Sequence, residues 1–150
     1  HASGSRGMGG GQMLDLQATN NQLQLDQLKV MHKMKTGALI TASIVMALHC
    51  SGIKDKETVQ SMTQFGELIG LAFQVKDDIL DIEGDTEIIG KPTGSDTAAN
   101  KSTFPALMGL EAAKDYAQQL VEQALQALQP LPYNTERLKQ LATYIIERQH

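Results

Sequence analysis

The chain has 150 residues, 41% of them hydrophobic, which suits one domain with a core of its own. Aromatics make up 4% with no Trp, against 7 Met, so the core is expected to be aliphatic and built from helices. A net charge of -4 with no basic block argues against a nucleic-acid partner, and a single cysteine excludes a disulfide framework or a cysteine-rich zinc site.

The chain opens on a glycine cluster, Gly7, Gly9, Gly10 and Gly11. It is no dinucleotide fingerprint, because Gln12 stands where the third glycine is needed and no strand precedes it. Residues 1–5 read either as an expression tag or as a chain cut from something longer just before a helix. Nothing there resembles an apolar signal region, so no secretory leader is expected. Gln12 to Gln17 reads as the end of a short helix. A polar loop follows, and Asp26 is expected to cap a long helix to Cys50, with Leu28, Met31, Leu39, Ile40, Val45, Met46 and Leu48 in helical step. Gly37 within it costs about 1 kcal/mol relative to Ala and so suggests a kink. Ser51 and Gly52 end this helix, and Asp55 caps the next, which runs to Glu83. Gly84 to Ser102 reads as a long loop of the kind that usually has a function. A helix is expected over Ala106 to Leu128, a linker at Pro130 to Pro132, and a last helix capped by Asn134, with Arg137, Leu138, Leu141 and Ile145 in step. No strand alternation is visible, and no apolar run reaches the roughly 18–20 residues of a membrane span. Cys50 reads as an inert core thiol in a reducing, cytoplasmic setting.

The informative segment is Phe73-Gln74-Val75-Lys76-Asp77-Asp78-Ile79-Leu80-Asp81. At about 100° per residue, Gln74, Asp77, Asp78 and Asp81 share one arc of the helix, with Glu67 two turns earlier on the same side. Leu71, Val75 and Ile82 border the stripe on one side, Phe73 and Leu80 on the other. Lys76 and Glu83 lie opposite, where a solvent face is expected. Like charges three and four residues apart repel, and beside apolar neighbours they call for a neutralising partner. A hard divalent cation such as Mg²⁺ accepts such carboxylates while keeping water and phosphate oxygens. An ordinary solvated acidic face is the competing reading.

Two lysines follow: Lys91 between Gly90 and Gly94, and Lys101 just before a helix start. They suit phosphate oxygens, or serve as plain loop solubilisers. A P-loop is excluded, since the glycine spacing is one residue too long and Pro92 stands in the Ser/Thr position. Glu147-x-x-His150 lacks the partners of a di-iron bundle, and His32, His49 and His150 show no metal-ligand spacing.

Taken together, the segment Phe73 to Asp81 resembles the second aspartate-rich motif of the trans-isoprenyl diphosphate synthases. Gly7-Met8 with Gly10-Gly11-Gln12-x-x-Asp15, Lys35-Thr36-Gly37, Gly90-Lys91-x-x-Gly94-x-Asp96 and Lys101-Ser102-Thr103-Phe104-Pro105 resemble that family's further signatures, in the same order. The chain as a whole resembles the C-terminal half of the bacterial farnesyl diphosphate synthase type. The resemblance implies an all-α fold, one half of the isoprenoid synthase bundle, filling residues 1–150. It implies a Mg²⁺-dependent condensation of an allylic diphosphate with isopentenyl diphosphate. By motif, Asp77, Asp78 and Asp81 would hold Mg²⁺. Lys35, Thr36 and Gln74 would act at the reacting centre. Gln12, Asp15, Lys91, Lys101 and Arg148 would bind substrate.

The family's first aspartate-rich motif has no counterpart here, since the chain contains no second Asp-Asp pair and no Arg-Arg pair. The chain therefore reads as one half of an enzyme, inactive alone and expected to form a homo-oligomer, a dimer, to cover apolar faces on Leu28, Met31, Leu39, Val45, Phe65, Leu68 and Phe73. A non-catalytic helical partner subunit and an unrelated helical interaction domain are the other readings.

Overall fold

The computed structural model describes residues 1–19, 21–83 and 101–149, so Lys91, most of the expected Gly84 to Ser102 loop, and His150 lie outside the described residues. Every regular element among the described residues is helical. α1 spans Met8–Ala18, and Gln12 to Gln17 form its later part, as the sequence suggests. α1 carries glycine where it lies directly on other backbone, that of residues 3–5 and, at Gly11, that of Lys35. A Cβ on Gly11 would stand 2.2 Å from the Lys35 nitrogen, a distance that only a glycine avoids.

The long helix expected from Asp26 to Cys50 is three pieces. α2 covers Leu25–His32, a π-helical turn covers Lys33–Gly37, and α3 covers Ala38–Cys50. The wide turn falls where Gly37 suggested a kink. There α4 comes against it at close range: a Cβ on Gly70 would lie 2.9 Å from the Gly37 Cα. The cap of α2 is not Asp26. The Gln27 side chain accepts the Gln24 backbone N–H at 2.8 Å, while Asp26 sits in the first turn and meets Lys29 at 3.7 Å.

α4, Lys56–Glu83, starts as expected, with Asp55 Oδ2 accepting the Thr58 N–H at 2.8 Å. The helix expected from Ala106 is two: α5, Phe104–Met108, and α6, Leu110–Leu128. Gly109 separates them at φ 88°, a backbone conformation that breaks a helix and that side chains disfavour. α7, Glu136–Glu147, begins just after Asn134, whose Oδ1 accepts the Glu136 N–H at 3.0 Å.

α4 is the axle of the fold, with α3, α6 and α7 all packed on it. Phe65 and Val75 of α4 meet Leu28 of α2, Phe104 of α5, and Val121 and Leu128 of α6 in a fully buried core. With so many neighbours, the last turns of α4 have little solvent side. Lys76 is partly buried, and it lines a groove with Glu83, Lys114 and Glu147. Other expectations also shift outward. Leu39, Met46, Ile82 and Leu141 are exposed, and so is Cys50, which is therefore not a core thiol. Conversely, Leu28, Met31 and Phe65, expected to need an outside cover, are buried by the chain itself. No helix among the described residues is long and apolar enough to cross a membrane.

Candidate functional site

The aspartate stripe lies on the last turns of α4, and packing splits it into three environments. Asp77 is exposed, Asp81 is half-buried, and Asp78 is only 7% exposed. Asp78 turns inward because the start of α5 needs it: its Oδ2 accepts the Phe104 backbone N–H at 2.9 Å. A first-turn N–H has no partner in its own helix, and a carboxylate there also meets the positive end of the helix dipole.

Asp77 faces the end of α7. Arg148 donates to its Oδ1 and, at 3.2 Å, to the Phe73 carbonyl, while the guanidinium lies 4.2 Å from the Phe73 ring centre. The Arg148 side chain is only 8% exposed, so it is held rather than trailing in solvent. Nearby burial and the Arg148 charge push the Lys76 ammonium below its ordinary value.

Gln74, 8% exposed, sits one turn before Asp77 and donates from Nε2 to Asp77 Oδ2 at 3.2 Å. Its Oε1 faces His32 Nδ1 at 2.9 Å. His32 ends α2, is 7% exposed, and stacks on Phe104 with ring centres 5.6 Å apart. Burial lowers its pKa from 6.5 to about 4, with the Lys35 charge pushing the same way and Asp15 and Asp77 opposing it. The imidazole is therefore neutral at pH 7.

The π turn carries Lys35 and Thr36, both half-buried. Lys35 Nζ meets Asp15 Oδ2 at 2.7 Å, tying α1 to the turn. Gln12 lies one turn before Asp15 on α1 and is exposed. Glu67 is exposed and stands 3.9 Å from Lys33 rather than joining the stripe. Lys101 is half-buried three residues before α5. The fold thus brings Lys35, Asp15, Gln74 and Asp77 around His32, with Arg148 beyond Asp77.

His32 is the residue that sequence reading missed. Its spacing excludes a metal-ligand role, yet it lies three and four residues before Lys35 and Thr36, a spacing that shares a helix face. No group of three or more His, Cys, Asp or Glu among the described residues converges on one metal position. Asp77 and Asp81 nonetheless fit a hard cation that takes one or two carboxylates and completes its shell with water and phosphate.

In this helical fold the charges of Lys35 on the π turn and of Asp77 on α4 both bear on His32. The polyprenyl synthetase family model matches residues 3–145, and the chain belongs to that family. It is 48% identical over 147 residues to the farnesyl diphosphate synthase of Haemophilus influenzae, covering 97% of this chain and 50% of that protein. It is 46% identical over 150 residues to the Escherichia coli farnesyl diphosphate synthase, covering 98% and 50%. Among solved structures it is similar to a geranyltransferase from Helicobacter pylori complexed with magnesium and isoprenyl diphosphate. The TM-score is 0.79 at 42% identity, covering 97% of this chain and 47% of the other. The chain spans about half the length of these relatives.

Proposed function

We propose that this chain supplies one half of the active site of a farnesyl diphosphate synthase. In that reaction an allylic diphosphate, dimethylallyl or geranyl, loses diphosphate at its C–O bond. The double bond of isopentenyl diphosphate attacks the resulting carbon, and a proton leaves to restore the alkene. The observation that carries the reading is the convergence of Lys35 and Asp77 around His32 and its partner Gln74, in a chain of this family. Bound Mg²⁺ would supply Lewis acidity to the leaving diphosphate.

The chain's own residues do the rest. Asp77 and Asp81 present hard oxygens for the metal. Asp78 shares that acidic end, with one oxygen spent on the Phe104 N–H. Lys35, with Lys91 and Lys101, neutralises diphosphate oxygens. The Thr36 hydroxyl and the free lone pair of Gln74 Oε1 offer negative dipoles to developing positive charge on the allyl group. Gln12 and Asp15 line the same side, with Asp15 holding Lys35 in place. Arg148 supports the diphosphate end from α7. The buried apolar wall behind Gln74 excludes the water that would quench the cation. The chain assembles as a homodimer.

Mg²⁺ with inorganic pyrophosphate, the leaving group of that reaction, tests the metal and diphosphate half. Saturating both should raise the melting temperature. The gain corresponds to about 2.7 kcal/mol at a hundredfold excess over Kd. Asp77→Ala should abolish the shift. An equal shift in that variant would remove Asp77 from the metal site.

A further inference from the structure

We propose that His32 is a positioning residue: its Nδ1–H holds the Gln74 amide in the one orientation that presents Gln74 Nε2 to Asp77. The assignment follows from counting donors. An ionised carboxylate only accepts, so the Gln74 atom facing Asp77 Oδ2 at 3.2 Å must be the amide nitrogen. The Gln74 atom facing His32 is then the carbonyl oxygen, which also only accepts. His32 Nδ1, at 2.9 Å, must therefore carry the proton. The buried Nε2 has no hydrogen-bond partner in the structure, which suits a bare lone pair better than an orphaned N–H.

The ring is fixed on its other side as well. It stacks on Phe104, whose backbone N–H is held by Asp78. One imidazole thus joins two chains of contact, one through Gln74 to Asp77 and one through Phe104 to Asp78. These chains tie the end of α2 to the two adjacent acids of α4. Low pKa supports the picture, because a neutral ring leaves a tautomer to be chosen. The functional weight of this device rests on the proposed role of Asp77; the geometry itself does not.

Nitrogen-15 NMR of the His32 ring in the full 150-residue chain tests the geometry without any ligand. The expected result is a protonated Nδ1 and an unprotonated Nε2, with one Gln74 side-chain amide proton slow to exchange. A protonated Nε2 would overturn the proposal. Two variants then separate hydrogen bonding from packing. His32→Phe keeps the ring on Phe104 and loses the donor. His32→Asn loses the ring and places an amide N–H near the Nδ1 position. Mg²⁺ affinity in the presence of pyrophosphate should fall about tenfold or more in the Phe variant and recover in the Asn variant, as loss of a supporting partner does at metal sites. Equal affinity in the wild type and His32→Phe, with the Gln74 amide unchanged, would overturn it. If the wild type bound no Mg²⁺ with pyrophosphate, the functional reading would fall. The ring nitrogens and the Gln74 amide would still decide for or against His32.

Discussion

His32 has an energetic consequence that can be measured without substrate. Its side chain is neutral in the fold down to about pH 4, but in the unfolded chain it takes a proton near 6.5. Above pH 6.5 neither state binds that proton and His32 has no effect. Between 6.5 and 4 the unfolded state binds it and the folded state does not, so stability falls as the pH falls. A gap of this size amounts to about 3 kcal/mol once pH 4 is reached. The charges that bear on the ring are Lys35, which deepens the effect, and Asp15 and Asp77, which oppose it. Asp55, held below the usual carboxylate range by the Thr58 N–H, adds a separate loss at lower pH. Urea unfolding of the wild type and His32→Phe across pH 7 to 4 isolates the His32 part. The wild type should lose about 3 kcal/mol more than the variant between pH 7 and 4, and parallel curves would show that the histidine is not buried neutral.

Helix contact is set by glycines whose roles differ. At Gly11 a methyl group would meet the Lys35 backbone at 2.2 Å, and neither α1 nor the π turn can yield without moving the Lys35–Asp15 pair. Gly11→Ala should cost about 1–3 kcal/mol, as overpacking does. Gly70→Ala meets the Gly37 Cα at 2.9 Å and should be costly in the same way. Gly37 itself is different. Its backbone is helical at φ -60° and ψ -37°, and the nearest atom to an added Cβ is the His32 oxygen at 3.9 Å. Gly37→Ala should therefore be neutral or stabilise by up to about 1 kcal/mol. Thermal melts of the three variants check this, and a large loss in Gly37→Ala would mean that the π turn itself requires glycine.

At the scale of the molecule, the apolar surface that remains open is only partly the one the sequence suggested: Leu39 is exposed and Val45 lines an open groove with Met46, as expected. Leu28, Met31 and Phe65 are covered by α4, α5 and α6, so the chain closes a core of its own. A further exposed apolar group lies on α1 and α2. Leu14 and Val30 flank a groove with Leu23 and the edge of Met31, and Met13 and Leu16 are open nearby. Apolar patches of this kind on small proteins are usually covered by a partner, and a second copy is the simplest one. Light scattering over a concentration series should give a dimer mass, and Val30→Glu should shift it toward the monomer. A monodisperse monomer at high concentration would remove the homodimer.

Helical class, most element boundaries and the shared arc of Gln74, Asp77, Asp78 and Asp81 were determined by the sequence alone. Each is local: a 3.6-residue period, a capping side chain or a stop glycine acts within a few residues. The ordered motifs made the family legible for the same reason. What the two adjacent stripe acids do individually was decided only by the tertiary structure. Asp78 is drawn to an α5 backbone N–H 26 residues away, and Asp77 to Arg148, 71 residues away. The burial of Lys76 has the same origin. So does His32, whose partner Gln74 lies 42 residues on. Periodicity records which face a residue shares. It does not record which neighbour meets that face, because packing between distant elements settles that.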